Sequence, residues 1–176
     1  MINSRKPIAN QDAYSPLAIG YRLSAIGYVN EPQASEIAGL LETALYLEDV
    51  GKGSRFYQDL FGFSLLSGST VHDAIFAALE VPGKGVLLLF KKGANAHPVD
   101  TGGGLIPPHG GDGRLHLAFA ISADSYEPWK AKLAAKNIKL ESEVRWKKGG
   151  RSLYFRDPEG NLVELATPGL WPFQSP

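Results

Sequence analysis

The amino-acid sequence predicts an α+β fold of two tandem βαβββ modules that form a cupped mixed sheet around a central cleft. The main observation is an internal repeat, in which residues 41–47 match 115–121 and residues 79–89 match 155–165. Each repeat also contains alternating apolar patterns and one helical apolar pattern, in the same order along the chain. A duplicated unit closes with pseudo-twofold symmetry, so we expect equivalent positions to meet near the axis. Those positions are Glu42, Leu88, His116 and Glu164.

The first module is predicted over residues 41–91. An alternating strand at 42–48 precedes a helix at about 51–61, whose large apolar residues share one face. Gly62 is expected to end this helix, because glycine is common just after a helix. Three further strands are predicted near 63–68, 74–81 and 85–91.

The second module is predicted over residues 114–168 and repeats this order. A strand at 114–121 is followed by a helix at about 125–136. Between the modules, residues 92–113 form a connection rich in glycine and proline, of a length that often serves as a lid or crossover. The remaining strands are predicted near 139–146, 151–156 and 161–167.

The two modules and their connection, residues 41–168, are expected to form one domain. Residues 1–40 show no sustained periodicity and are predicted to form an irregular arm. The tail at 169–176 carries Trp171 and Phe173, which we expect to dock on an apolar surface.

Composition narrows the classes of partner. The chain has 176 residues, of which 18 are basic and 18 acidic, so it lacks the positive charge that binding to a phosphate backbone needs. No apolar run approaches the ~18 residues that cross a bilayer, and neither a signal peptide nor an anchor is predicted. We therefore expect no nucleic acid and no membrane among its partners, and a cytoplasmic location. Because cysteine is absent, any bound metal is expected to have His, Asp or Glu ligands.

Alternation along the strands places candidate metal ligands beside small residues. Glu42 shares one strand face with Ala44, and His116 shares the equivalent face with Ala118. These small side chains leave space that leucine or valine would fill in a packed core. Glu164, in the last predicted strand, adds a second carboxylate.

A divalent metal ion would account for this set of side chains. Two carboxylates brought together in a cleft repel each other, and a divalent cation offsets both charges. We interpret Glu42, His116 and Glu164 as metal ligands that leave positions open for water or substrate. The donor atoms suit Fe²⁺, Mn²⁺, Zn²⁺, Ni²⁺ or Co²⁺.

Three side chains are candidates for a catalytic role. Tyr154, on the strand before Glu164, is a candidate acid or hydrogen-bond donor, and Glu42 is a candidate base. His109 lies on the long connection and is a candidate to reach the site from there. Each residue also has a structural interpretation, as a packed strand aromatic, a solvated strand end or an ordinary loop residue.

Two motifs give the sequence a family resemblance. Residues 56–63, with the sequence FYQDLFGF, and residues 152–165, with the sequence SLYFRDPEGNLVEL, resemble motifs of the vicinal oxygen chelate superfamily. This superfamily includes glyoxalase I, bleomycin-resistance proteins and extradiol dioxygenases. The resemblance extends over about 41–168 and implies the same duplicated fold.

The resemblance also implies which residues bind the metal. The family's ligand positions correspond to Glu42, His116 and Glu164, with glutamate in place of the histidine or glutamine that is usual at the first position. Leu88 occupies the fourth ligand position of glyoxalase I, so the four-ligand arrangement of that enzyme is incomplete here.

The function implied is that of a metal-dependent enzyme acting on a small molecule that chelates the metal through vicinal oxygens. Lyase or isomerase chemistry and ring cleavage by a dioxygenase both stay open, because fold alone does not fix the reaction. The alternative is a metal-free protein that binds a drug or metabolite, as bleomycin-resistance proteins do. Relatives with one such domain are commonly dimers, so a homodimer is expected.

Overall fold

The first module forms a four-stranded mixed sheet covered on one face by a helix. The structure, a computed structural model, describes residues 37–83 and 85–172. In the sheet the strand order is β1-β4-β3-β2, and β1 runs parallel to β4. The elements are β1 (Glu42–Leu47), α1 (Val50–Phe61), β2 (Ser64–Gly68), β3 (Phe76–Val81) and β4 (Gly85–Lys91).

The second module repeats this topology. Its sheet has the order β7-β10-β9-β8, and β10 runs parallel to β7. The elements are β7 (His116–Ala120), a 3₁₀ turn (Ala123–Ser125), α2 (Tyr126–Ala135), β8 (Leu140–Arg145), β9 (Arg151–Arg156) and β10 (Leu162–Ala166). The predicted α+β class and the two tandem βαβββ modules are confirmed, with element ends that differ from prediction by at most two residues.

Helix α1 begins and ends where its sequence signals it. Asp49 is the N-cap, and its carboxylate accepts a hydrogen bond of 2.8 Å from the backbone N–H of Lys52. Gly62 follows the helix in the left-handed conformation, with φ of 76°, and its N–H donates to the carbonyl of Gln58. A residue with a Cβ is strained at such a φ, which explains glycine here.

The connection between the modules contains a small hairpin that the sequence analysis did not predict. Its strands are β5 (Val99–Asp100) and β6 (Leu105–Ile106), in which Val99 pairs with Ile106. Thr101 closes the turn, since both its N–H and its hydroxyl donate to the carbonyl of Gly104. Strands of two residues are too short to produce an alternating pattern, so periodicity gives no sign of them.

The two modules share their apolar cores. Leu45, Leu47, Leu87 and Leu89 of the first sheet are buried beneath α1. Leu115, Leu117 and Phe119, from the second module, pack against this first core, and Phe56 and Phe61 of α1 pack against the second. The sheet faces that meet the helices are therefore turned towards a common interior. The opposite faces, which carry Glu42 and His116, lie away from it.

Several expectations concern residues outside this description. Residues 1–36 of the predicted arm and Phe173 of the tail lie outside the described residues. Trp171, within them, is 57% exposed. No helix in the described ranges is long and apolar enough to cross a membrane.

Candidate metal centre and substrate cavity

His116 and Glu164 lie side by side on the open face of the second sheet. The parallel register sets Leu162 opposite His116 and Ala118 opposite Glu164, so the two polar side chains come from neighbouring strands. The Nε2 atom of His116 is 3.3 Å from Oε2 of Glu164. The carboxylate is buried, whereas the side chain of His116 is 48% exposed. One side of the pair is thus accessible from outside the sheet.

The backbone fixes which nitrogen of His116 carries hydrogen. Nδ1 is 3.2 Å from the carbonyl oxygen of Leu162, and a carbonyl oxygen only accepts hydrogen bonds. Nδ1 must therefore donate, which leaves the lone pair of neutral Nε2 directed at the carboxylate of Glu164. This contact requires either a second proton on the ring or a cation near both atoms.

A hydrogen-bonded chain behind Glu164 orients its carboxylate. The indole N–H of Trp146 donates to the hydroxyl of Ser152 over 2.8 Å, and that hydroxyl donates to Oε1 of Glu164 over 2.5 Å. Because an indole nitrogen only donates, the hydroxyl hydrogen must point to the carboxylate. Oε1 is therefore engaged, and Oε2 is left facing His116.

Tyr154 completes this group on the second sheet. It lies directly opposite Glu164 in the antiparallel pairing of β9 and β10, and its ring centroid is 6.3 Å from that of His116. Burial raises the pKa of Tyr154, and a hydrogen bond with the carboxylate of Glu164 raises it further. The hydroxyl is thus protonated at neutral pH and able to donate.

Glu42 lies elsewhere, at the edge of an apolar cavity on the open face of the first sheet. The cavity has a volume of about 650 Å³, and His109 and Asn95 of the connection also line it. Its apolar wall consists of Ile75, Phe76, Leu88, Phe90, Val99 and Ile106 among others. This volume lies within the range of small-molecule sites.

His109 reaches this cavity because the connection folds over the first sheet. Its backbone N–H donates to the carbonyl of Asn95 over 3.1 Å. Its Nδ1 lies 2.7 Å from the hydroxyl of Tyr46, and its ring packs edge-on against Phe90. The structure thus brings His109 together with Glu42, and it does not bring His109 to His116 and Glu164.

The expected meeting of the repeat-equivalent positions does not occur within one chain. Among the described residues, no group of three or more His, Asp or Glu side chains is placed to bind one metal ion. The shared core explains this separation, because Glu42 and His116 both lie on faces turned away from it. The chain therefore presents two separate groups of candidate residues, called half-sites below, one with His116, Glu164 and Tyr154 and one with Glu42 and His109.

The first of these half-sites fits a divalent ion. Two donor atoms at about 2.1 Å from one ion, at angles of about 90° to 109°, lie about 3.0 to 3.4 Å apart. The His116 and Glu164 donor atoms, 3.3 Å apart, have this separation. The hydrogen bond from Nδ1 to a backbone carbonyl is also the usual support of a metal-bound histidine.

Sequence reasoning missed Ser152 as a site residue, and with it the hydrogen bond that Trp146 donates to Ser152. Alternation sets Ser152 on the same face as Tyr154, which is a usable signal. Alternation does not show which strand lies next to β9. Nor does it show that the indole N–H of Trp146 donates to the hydroxyl of Ser152.

The fold and the site together define a class of duplicated βαβββ proteins whose open sheet faces carry the polar residues. The chain belongs to the Glyoxalase/Bleomycin resistance protein/Dioxygenase superfamily, whose family model matches residues 39–165. The resemblance identified from the sequence is thereby confirmed.

Solved structures give three informative comparisons. A lactoylglutathione lyase from Agrobacterium tumefaciens is 31% identical with a TM-score of 0.69, over 79% of this chain and 100% of that one. An integron cassette protein from the metagenome of the Halifax Harbour sewage outfall is 25% identical with a TM-score of 0.57, over 74% and 99%. A mutant of the fosfomycin resistance protein FosX from Listeria monocytogenes, in complex with Mn(II) and 1S,2S-dihydroxypropylphosphonic acid, is 20% identical with a TM-score of 0.57, over 77% of this chain and 95% of that one. The last comparison supports the fold alone.

Proposed function

We propose that this protein is a metal-dependent enzyme acting on a small molecule with two neighbouring oxygen atoms. The observation that carries the proposal is the contact of His116 Nε2 with Glu164 Oε2, in which the Nδ1 hydrogen is already committed to a carbonyl oxygen. A divalent ion held by these two atoms relieves the lone-pair contact and offsets the buried carboxylate.

The third ligand is proposed to be Glu42 of a second copy of the chain. Glu42 lies on an open face, and Ala118 and Ala120 beside His116 are exposed, so both faces are accessible to a partner. In a twofold dimer the first sheet of one copy faces the second sheet of the other, and each of two sites then gains all three ligands. A homodimer and its divalent metal are thus parts of one proposal.

The protein side chains have distinct roles in this mechanism. Bound metal supplies a Lewis acid that polarises the substrate oxygens. Ser152 holds the Glu164 carboxylate in one orientation, and Tyr154 donates a hydrogen bond or proton to substrate from a hydroxyl that stays protonated at neutral pH. Across the site, His109 and Glu42 are the groups placed to accept a proton within the cavity.

The relatives favour lyase or isomerase chemistry over ring cleavage. The Agrobacterium lactoylglutathione lyase is the more similar of the named enzymes, at 31% identity. Leu88, however, lines the cavity where glyoxalase I carries its fourth ligand, so we propose a related reaction on another substrate. The cytoplasmic location stays a prediction.

A metal-free binding protein is the second candidate function. The observation that favours it is the predominantly apolar wall of the 650 Å³ cavity, which suits sequestration of a drug or metabolite without chemistry.

Metal content and affinity of the purified protein decide between these functions. We expect about one divalent ion per chain in the wild type, and at least a tenfold loss of affinity in Glu42→Ala, His116→Ala and Glu164→Gln. Asp59→Ala removes an exposed carboxylate on the helix side and is the matched control. A wild-type protein that binds none of Fe²⁺, Mn²⁺, Zn²⁺, Ni²⁺ and Co²⁺ would overturn the enzymatic proposal and favour the binding protein.

A further inference from the structure

The charge content of the cavity restricts what it binds. Among the described residues that line it, Glu42 carries the only formal negative charge, and no lysine or arginine is present. The apolar wall comes from both the sheet and the connection, through residues such as Phe90 and Ile106. An anionic group on the body of the ligand, away from the proposed metal ion, would therefore leave water without gaining a lysine or arginine partner from the lining.

Two cations close to these elements are already engaged. Lys92, just after β4, lies 3.2 Å from carboxylate oxygens of both Glu48 and Asp112. On the second sheet, Arg156 is 3.0 Å from Glu141 and also donates to the carbonyl of Gly160. Recruiting either side chain to an anion would break ion pairs that already exist.

Besides Glu42, the side chains of the cavity that can form hydrogen bonds are the imidazole of His109 and the amide of Asn95. His109 uses Nδ1 to contact the hydroxyl of Tyr46, and its Nε2 has no hydrogen-bond partner among the described residues. The side-chain amide of Asn95 likewise makes no hydrogen bond within the described part of the chain, although its carbonyl holds the His109 backbone. Such groups suit hydroxyl, carbonyl or amide functions of a neutral ligand.

The hairpin of the connection forms one side of the cavity. Val99 and Ile106 face each other in the pairing of β5 and β6, and both line the cavity. They are 41% and 46% exposed, so neither belongs to the packed core. Both side chains are placed to contact a molecule in the cavity, and substitutions there do not alter the buried core.

From these observations we propose that the site takes an uncharged molecule with a largely apolar, ring-sized body, and that Val99 and Ile106 determine its specificity. The inference rests on the proposed function for the position of the two neighbouring oxygens, at the end of the cavity where Glu42 lies. It distinguishes this protein from an enzyme for substrates that carry carboxylate or phosphonate groups.

Two probes of equal shape and different charge test the proposal. Binding of 2,3-dihydroxybenzamide and of 2,3-dihydroxybenzoate is measured by calorimetry on the full-length protein, with and without added divalent metal. We expect the neutral amide to bind at least about tenfold more tightly than the anion. In Ile106→Arg we expect the preference to shift towards the anion by at least about tenfold. Leu66→Arg adds the same charge at an exposed position of β2 away from the cavity and is the control.

The outcomes separate this inference from the proposed function. If the protein binds metal but binds the benzoate as tightly as the amide or more tightly, the proposal of an uncharged ligand is overturned and the proposed metal site is supported. If the protein binds no metal and still binds the amide more tightly, the proposal of an uncharged ligand is supported and the proposal of a metal-dependent enzyme is overturned. Absence of binding of both probes at millimolar concentration overturns the inference, and an unchanged preference in Ile106→Arg overturns the role of the hairpin.

Discussion

At the scale of single residues, Glu164 shows how neighbouring strands orient a buried carboxylate. One of its oxygens receives the hydroxyl of Ser152, whose own position is fixed by the indole of Trp146. The other oxygen faces His116. A buried and oriented carboxylate loses little freedom when it binds an ion, so under the proposed function we expect Ser152 to act as a positioning residue.

Ser152→Ala is expected to lower metal affinity by about 10- to 100-fold, because the carboxylate loses its orienting donor. Affinity is measured by competition with a chelator, and folding is checked by circular dichroism. Ser67→Ala, at an exposed position of β2, is the control. Unchanged affinity in a folded Ser152→Ala protein would remove the positioning role.

A second residue prediction concerns the buried bond between Tyr57 and Asp157. Their side chains are 2.9 Å apart, and burial, reinforced by the Asp157 carboxylate, raises the pKa of Tyr57 well above its ordinary value of 10.0. Above about pH 10 the unfolded chain loses this proton while the folded protein retains it. The folded state then binds more protons, so the free energy of unfolding falls as pH rises.

Tyr57→Phe is therefore expected to weaken this alkaline dependence. At neutral pH the variant loses about 1–3 kcal/mol with the hydrogen bond. Urea unfolding of both proteins at about pH 8 and about pH 11 measures the difference. Parallel losses of stability in the two proteins would show that Tyr57 does not titrate as described.

At the scale of elements, α1 depends on two glycines that packing requires. A Cβ at Gly51 would overlap the backbone carbonyl of Val71 and lie 2.8 Å from that of Thr70, which cannot yield as a side chain does. At Gly53 the overlap is with the end of the Leu47 side chain. Helix propensity alone favours alanine over glycine at both positions, so packing decides the outcome.

Gly51→Ala is expected to lower the free energy of unfolding by about 1–2 kcal/mol, because the overlap outweighs the gain in helix propensity. Gly53→Ala is expected to cost less, since Leu47 has rotamer freedom. Chemical denaturation of both variants beside the wild type provides the measurement. A Gly51→Ala protein as stable as the wild type would contradict the close approach of α1 to residues 70–71.

The elements themselves could be predicted from sequence because their signals are local. Gly62 marks the end of α1, and alternation marks the strands. The hairpin of β5 and β6 could not be predicted, since its two-residue strands carry no period. The contact of Tyr46 with His109 could not be predicted either. The two residues are 63 positions apart, and no local pattern shows how the connection folds back over the sheet.

At the scale of the whole molecule, the duplicated halves share an interior and turn their polar faces outward. Sequence symmetry correctly paired the equivalent positions, and the fold class followed from it. Symmetry does not determine whether equivalent faces meet inside one chain or between two chains. That choice depends on which sides of the sheets pack together, and here Leu115, Leu117 and Phe119 place the helix side inside.

Mixing two variants that each lack one proposed metal ligand tests whether the site is shared between two copies of the chain. Glu42→Ala and His116→Ala each remove one half-site, and a heterodimer of the two has one site with both changes and one intact site. After subunit exchange, half of the dimers are mixed, so about a quarter of all sites should recover metal binding. Equilibrium dialysis before and after exchange gives the result. No recovery, in a mixture shown by mass spectrometry to contain heterodimers, would contradict a site shared between copies.

The β5–β6 hairpin has a consequence for how such a protein changes over time. Its turn is closed by its own hydrogen bonds, and Val99 and Ile106 lie outside both apolar cores. Mutations there alter the surface that a ligand meets and leave the free energy of folding largely untouched. Ligand recognition therefore depends on different residues from folding stability. In related proteins, a few substitutions in the hairpin can change the ligand while the buried core stays the same.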